Sequence, residues 1–232
     1  MATIREKVLP KRFSTPQLIV FGFLALMALG TVLLKLPVST EHGISWIDAM
    51  FVSVSSGSVT GLSTVDFPAT FTTFGAVVVM VLVQLGGLGI MTVTTMAALF
   101  VGQRVGFRNL MAVRESIESV DSPRNILRLL LQIARITFAV ELLAAVALSV
   151  AFIRRGMAPS EGIFQGVFHA IMGFCNAGLV NLESGSFIPY AGNWLVVGTL
   201  ALAIILGGLG FPVLVDLYRY KKDHRLTVHS RL

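Results

Sequence analysis

The chain has 232 residues, 55% hydrophobic and 13% charged, with a mean hydropathy of +0.82. Soluble domains carry roughly 25% charge, so disorder is excluded, an ordinary water-soluble globule is disfavoured, and a polytopic membrane protein is expected. The single cysteine, Cys175, excludes an intrachain disulfide and a cysteine-based metal cluster, and the net charge of +6 is better read through topology than as a nucleic-acid signal.

In chain order, the first predicted span covers residues 17–34, a charge-free run between Pro16 and Pro37. The run is too long for a cleavable signal peptide and no small-residue cleavage site follows it. A short apolar stretch comes next, at 44–56. Residues 67–103 hold no charge, and because Pro68 opens that run the second span falls at 72–101. The third span, 129–153, is interrupted by Arg135 and Glu141. A second short stretch at 163–175 precedes the fourth span, 193–215. A bilayer crossing needs about 20 apolar residues. The short stretches hold about 13 residues each, about 20 Å of helix, the length of re-entrant segments.

Basic residues set the orientation. Arg5, Lys7, Lys11 and Arg12 precede the first span, and Arg104, Arg108, Arg114, Arg124 and Arg128 separate the second from the third. Arg219, Lys221, Lys222, Arg225 and Arg231 follow the fourth. The positive-inside rule then places both termini and the linker in the cytoplasm, with the short helices dipping in from outside. Their flanks carry Glu41, Asp48, Asp66, Glu161 and Glu183. That acidic bias would raise the local cation concentration; scattered surface acids are the plain alternative.

The halves are similar. With Gly61 set on Gly178, Ile47 meets Phe164, Phe51 meets Phe168 and Leu62 meets Leu179. Leu85-Gly86-Gly87-Leu88-Gly89 recurs as Leu206-Gly207-Gly208-Leu209-Gly210, displaced by a loop insertion of about four residues. Two tandem repeats of span, re-entrant helix, span follow. The short helices run into Ser56-Gly57-Ser58-Val59-Thr60-Gly61-Leu62 and Gly173-Phe174-Cys175-Asn176-Ala177-Gly178-Leu179. Irregular backbone at membrane depth is tolerated where it is buried in protein or lines a watery cavity. A re-entrant helix followed by a glycine-containing segment suits cation coordination by carbonyls, with glycine allowing positive φ and the helix C-terminus adding negative charge. The alternative is a plain turn with a glycine cap. Two such segments at matched positions favour a filter.

Ser58-Val59-Thr60-Gly61-Leu62 with Gln84-Leu85-Gly86-Gly87-Leu88-Gly89 resembles the first repeat of the Trk/Ktr/HKT potassium transporters, and Phe174-Cys175-Asn176-Ala177-Gly178 resembles the second. Arg114-Glu115-Ser116 and Arg135-Ile136-Thr137 with Glu141-Leu142 are similar to that family too. The short lead into the first span resembles the Ktr membrane subunit rather than Trk relatives, which carry additional spans. The resemblance implies four repeats around one pore and a K⁺ filter of backbone carbonyls, here from Ser58, Val59, Thr60, Gly61, Cys175, Asn176, Ala177 and Gly178. It also implies Na⁺ as an activating or coupling ion and a cytoplasmic nucleotide-binding regulatory subunit as partner.

The expected fold class is an all-α integral membrane protein, half of a four-repeat potassium-channel-like pore. Residues 1–103 form the first repeat, 104–124 a cytoplasmic linker and 125–220 the second repeat. Residues 221–232 look like the lead-in to a missing third repeat, so truncation is favoured over a homodimer, or pairing with a full-length relative, that supplies four loops. The expected function is potassium uptake without covalent chemistry. The rivals are a non-conducting half-subunit that only binds relatives or the regulator, and an intramembrane enzyme using Glu141, Asp48 or His169, for which no paired acid or nucleophile–base motif exists.

Several residues have plainer readings beside the functional ones. The glycines of the two LGGLG segments allow close helix packing, or a bend that leaves room below the filter. Arg135 sits near the cytoplasmic end of its span and can snorkel, whereas Glu141 lies deeper and needs a structural partner. His169 is expected as a packed, hydrogen-bonded histidine and Asp48 as a helix cap. His42, His224 and His229 lack metal-ligand spacing, and the useful group of Cys175 is its carbonyl.

Overall fold

The computed structural model describes residues 15–102 and 123–209. The termini, most of the 104–124 linker, the 221–232 lead-in, Arg114-Glu115-Ser116 and Gly210 lie outside the described residues. Among the described residues, six helices carry the fold: α1 (Thr15–Lys35), α2 (Trp46–Gly57), α3 (Thr73–Gly102), α4 (Pro123–Arg154), α5 (Pro159–Phe174) and α6 (Trp194–Gly208). A single helical turn at Phe67–Thr70 and 3₁₀ turns at Pro37–Ser39 and Ile188–Tyr190 sit in the connections. One isolated bridge joins Thr40 and Phe71.

Local sequence explains the helix limits. Ser45 caps α2, its hydroxyl accepting from the Asp48 amide at 3.0 Å and donating to the Asp48 carboxylate at 2.6 Å. These bonds satisfy a donor that the first helical turn leaves free, as expected for Asp48. The Ser45 hydroxyl, then that of Thr64, holds the Asp48 carboxyl below its ordinary range. Pro159 at the start of α5 lacks the N–H that a first turn cannot use. Asn193 caps α6 by accepting from the Leu195 amide at 3.1 Å.

The helices pack as two groups of three. Within one, α1, α2 and α3 touch one another; within the other, α4, α5 and α6 do; α3 against α5 joins the groups. The larger core is shared: Leu34, Val52, Phe67, Val79 and Val83 lie with Phe168, Met172 and Phe174. The Phe67 and Phe168 rings stand 5.5 Å apart across the junction. A second core gathers Leu148, Phe152, Leu182 and Val196.

Outward faces are apolar and several inward positions are polar. Leu143 is 72% exposed and Leu142 65%, while Ser53, Thr137 and His169 are buried. Water would penalise such a surface and lipid would not. By length and composition Leu131–Arg154 is sufficient to cross a membrane, while the described apolar parts of the other long helices are Val20–Lys35, Thr73–Gly89 and Trp194–Gly208.

Glycines set how close the helices come. A Cβ on Gly86 would overlap the carbonyl of Gly57, the last residue of α2. One on Gly207 would overlap the carbonyl of Phe174, the last residue of α5. The LGGLG segments thus admit the C-terminal end of a short helix against the backbone of a long one, the close-packing reading. Gly207→Ala should therefore destabilise by about 1–3 kcal/mol through overpacking. Gly198→Ala in the same helix, where nothing lies within 4 Å, should be neutral or stabilise by up to about 1 kcal/mol. Thermal unfolding of the purified variants in detergent checks both; equal losses would refute the contact.

Candidate functional site

Each short helix ends in the same hydrogen-bonded turn. After α2, the Val59 amide donates to the Ser56 carbonyl at 3.1 Å and the Thr60 amide to the Ser55 carbonyl at 2.8 Å. After α5, the Asn176 amide donates to Gly173 at 3.1 Å and the Ala177 amide to Met172 at 2.8 Å. This is the Schellman arrangement, which requires one left-handed residue. Val59 (φ +57°) and Asn176 (φ +61°) supply it.

That differs from the expectation that the glycines take the positive φ angles. Gly61 does, at +79°. Gly178 is outside the left-handed region among the described residues. The cap geometry places its reversal two residues before each glycine. Gly178 is instead the neighbour of the other segment: a Cβ on Gly61 would overlap the Gly178 amide nitrogen, and one on Gly178 would stand 3.5 Å from the Gly61 carbonyl oxygen. The two segments therefore meet backbone to backbone. An open cleft of about 330 Å³, lined by Gly61, Ser63, Asp66, Phe67, Gly178 and Leu179 among others, lies beside the meeting point.

The first three amides of each segment are tied, and the acceptors are free. The amides of Ser58, Val59 and Thr60 and of Cys175, Asn176 and Ala177 all donate back to helix carbonyls. Among the described residues no hydrogen bond reaches the carbonyl oxygens of residues 58–61 or 175–178. Side chains reinforce the turns: the Ser58 hydroxyl donates to Val54 at 2.7 Å and contacts the Thr60 hydroxyl at 2.7 Å. Asn176 Nδ2 donates to Phe174 at 3.4 Å. Thr60 and Asn176 are exposed, whereas Cys175 and Ala177 are buried.

The segments are clamped to their helices by different residues. Ser55 Oγ accepts from the Leu62 amide at 2.8 Å. His169, aligned in sequence with Val52, makes a longer connection. Its Nδ1 lies 2.8 Å from the Gln165 carbonyl, and its Nε2 accepts from the Asn181 amide at 3.2 Å. The two bonds fix a neutral imidazole with the proton on Nδ1. Phe152, Phe168 and Phe187 pack edge-on around the ring. This is the packed histidine expected from sequence.

Glu141, 6% exposed, accepts from Gln84 Nε2 at 3.2 Å. Sequence reasoning required a partner but did not find Gln84, although it directly precedes the first LGGLG. The two lie on different helices, and no spacing rule connects them. Arg135 is exposed. A Cβ on Gly87 would stand 2.8 Å from Cys175 Sγ, so α3 closes on the base of the second segment. Among the described residues no group of three His, Cys, Asp or Glu side chains has metal-binding geometry.

Residues 2–231 match the TrkH family, described as a cation transport protein. The chain is 35% identical over its full length to Ktr system potassium uptake protein B of Bacillus subtilis (strain 168), covering 52% of that protein. It is 32% identical to potassium/sodium uptake protein NtpJ of Enterococcus hirae, over 99% of this chain and 51% of that one. Ktr system potassium uptake protein B of Vibrio alginolyticus is 36% identical over 94% of this chain and 48% of its own. The chain thus spans about half the length of these relatives.

The His169 clamp makes a definite prediction. His169→Leu leaves the Asn181 amide without its acceptor, a loss of about 1–3 kcal/mol, and should raise hydrogen exchange at Asn181. His169→Gln, which keeps an acceptor, should recover part of it. Unchanged exchange in His169→Leu would show that the histidine does not hold residues 180–182.

Proposed function

The chain belongs to the TrkH family of cation transport proteins, and on that premise we propose that it is a potassium-transporting subunit. Its carbonyls at Ser58, Val59, Thr60, Gly61, Cys175, Asn176, Ala177 and Gly178 form two strands of a selectivity filter. The observation that carries this is the pair of segments with three amides each tied inward and carbonyls free, brought together at Gly61 and Gly178. Free carbonyls are the groups that replace the hydration shell of a dehydrated cation. The carbonyl ends of α2 and α5 add partial negative charge beside them.

The chain then has two repeats, at 1–103 and 125–220. In each, a long helix, a re-entrant helix (α2 or α5) and a second long helix follow in order, with the re-entrant helices entering from outside. The fold is multi-pass with both termini cytoplasmic, following the basic residues around the spans. Potassium is the transported ion. The relative named for potassium and sodium uptake supports sodium as a second ion acting on the protein. Because the two strands touch at Gly61 and Gly178, an ion cannot pass between them there. It runs along their free side, closed by two further strands from a second copy or a full-length relative. The partly basic linker is compatible with a cytoplasmic nucleotide-binding regulatory ring. The related transport proteins favour transport over enzymatic chemistry.

Topology is tested with single cysteines at Arg108 and Glu183 in a Cys175→Ala background. They should label from opposite faces of sealed vesicles; labelling of both from one face rejects the two-repeat arrangement.

Transport is tested in liposomes. If the chain acts alone, the purified protein should give K⁺ flux and crosslink as a dimer; a silent monomer would remove the channel claim for the isolated chain. Gly61→Ser, which places a side chain in the left-handed region at about 1–2 kcal/mol and against Gly178, should lower the K⁺/Na⁺ flux ratio by roughly tenfold. Gly198→Ser should not. An unchanged ratio in a conducting Gly61→Ser protein would remove residues 58–61 from the filter.

A further inference from the structure

Three side-chain oxygens are buried without a hydrogen-bond partner near the junction of α3 and α4: Gln84 Oε1, Thr137 Oγ1 and Glu141 Oε1. Thr137 and Glu141 are four residues apart on α4, which puts them on one face, and they are 0% and 6% exposed. Gln84 meets Glu141 from α3, its Nε2 donating to Glu141 Oε2 at 3.2 Å. That single bond uses the amide's donor end and leaves its oxygen, together with the second carboxylate oxygen, open. Among the described residues no ion pair to Lys, Arg or His neutralises Glu141.

A buried carboxylate demands a compensating charge, and a buried oxygen demands a donor or a metal ion. A carboxylate, an amide oxygen and a hydroxyl are hard donors suited to cations of the alkali and alkaline-earth groups. One negative charge matches a monovalent ion, whereas Ca²⁺ takes 6–8 oxygens, commonly with several carboxylates. We propose that Gln84, Thr137 and Glu141 form a binding site for an alkali cation between the two helix groups, separate from the carbonyl segments. Glu141 is also within electrostatic reach of Cys175, the residue that ends α5 and opens the second segment. An ion held here ties α3 to α4 beside the base of that segment, so its occupancy is coupled to the segment's position. A proton on Glu141 is the competing occupant. It could pair Glu141 with Gln84 Oε1, but it leaves Thr137 Oγ1 unpaired and responds to pH rather than to the identity of the salt.

The test is thermal unfolding of the purified full chain, followed by Trp46 and Trp194 fluorescence, in NaCl, KCl or choline chloride at equal ionic strength. Sodium or potassium should raise Tm in a saturable manner, as ligand linkage requires. Glu141→Gln should abolish the sodium-dependent rise while folding normally in choline. Thr137→Val should move its midpoint to higher salt by on the order of tenfold. Gly198→Ser, where nothing lies within 4 Å of the added side chain's Cβ, should keep it. If Glu141→Gln does not fold, radiolabelled sodium binding to the wild type and Thr137→Val decides, with weaker binding in the variant expected. The proposal is overturned if sodium does not differ from choline, if the sodium-dependent rise survives in folded Glu141→Gln, if Gly198→Ser abolishes it, if Thr137→Val binds labelled sodium like the wild type, or if wild-type stability follows pH alone.

Discussion

Everything in this structure depends on the bare backbone contact between the end of each short helix and a glycine of a long one. Gly86 rests on the Gly57 carbonyl and Gly207 on the Phe174 carbonyl, with no room for a methyl group in either place. Each contact fixes where a short helix stops, and the stopping point fixes where the irregular segment begins. The capping turn, the free carbonyls and the meeting of Gly61 with Gly178 all follow from that position. In an apolar solvent such contacts gain little from hydrophobic exclusion, so close van der Waals approach must supply the stability. Small residues are the means of achieving it.

The same logic explains the distribution of polar groups. With lipid outside, exposed Leu142 and Leu143 involve no penalty, while polar side chains must find partners within the bundle. Ser53 donates to the Met27 carbonyl at 2.7 Å, tying α2 to α1. His169 ties α5 to the loop beyond its segment. At the connections that follow α1 and α4, Lys35 donates to the Ile44 carbonyl and lies over the Trp46 ring, 5.8 Å from its centroid. Arg155 donates to the Pro189 carbonyl at 2.6 Å and faces the Tyr190 ring. Gln84, Thr137 and Glu141, and elsewhere Thr40 and Gln165, depart from this rule, since each keeps an open oxygen.

Much of the helix layout was legible because apolar runs and their punctuation are one-dimensional signals. The runs predicted at 17–34, 72–101 and 129–153 fall within α1, α3 and α4 with ends shifted by a few residues. The short stretches correspond to α2 and α5, the latter starting earlier because Pro159 begins a helix as readily as it ends one. The glycine-rich repeats announced close packing. The Gln84–Glu141 bond was not legible, because it joins residues whose proximity depends on two helices docking. Nor was the left-handed residue placed correctly: glycine is the usual occupant of that conformation, which drew attention to Gly178 and away from Val59 and Asn176.

The choice of residues at those two reversals makes the segments mechanically unlike. Asparagine enters the left-handed region with little difficulty, and the Asn176 side-chain amide donates a hydrogen bond to the Phe174 carbonyl. Valine is β-branched, and a left-handed valine is a true outlier, at roughly 1–2 kcal/mol. Val59 is held there by its own bond to Ser56, by the bond of the next residue, Thr60, to Ser55, and by packing against the shared core. Residues kept in unfavourable backbone regions persist only where their surroundings over-determine them. The first segment therefore stores strain that the clamp at Ser55 must contain. The second is relaxed and anchored at a distance through His169. Two segments with the same turn but different restraint respond differently to a neighbour pressing on their shared contact at Gly61 and Gly178, and the first has the more to release.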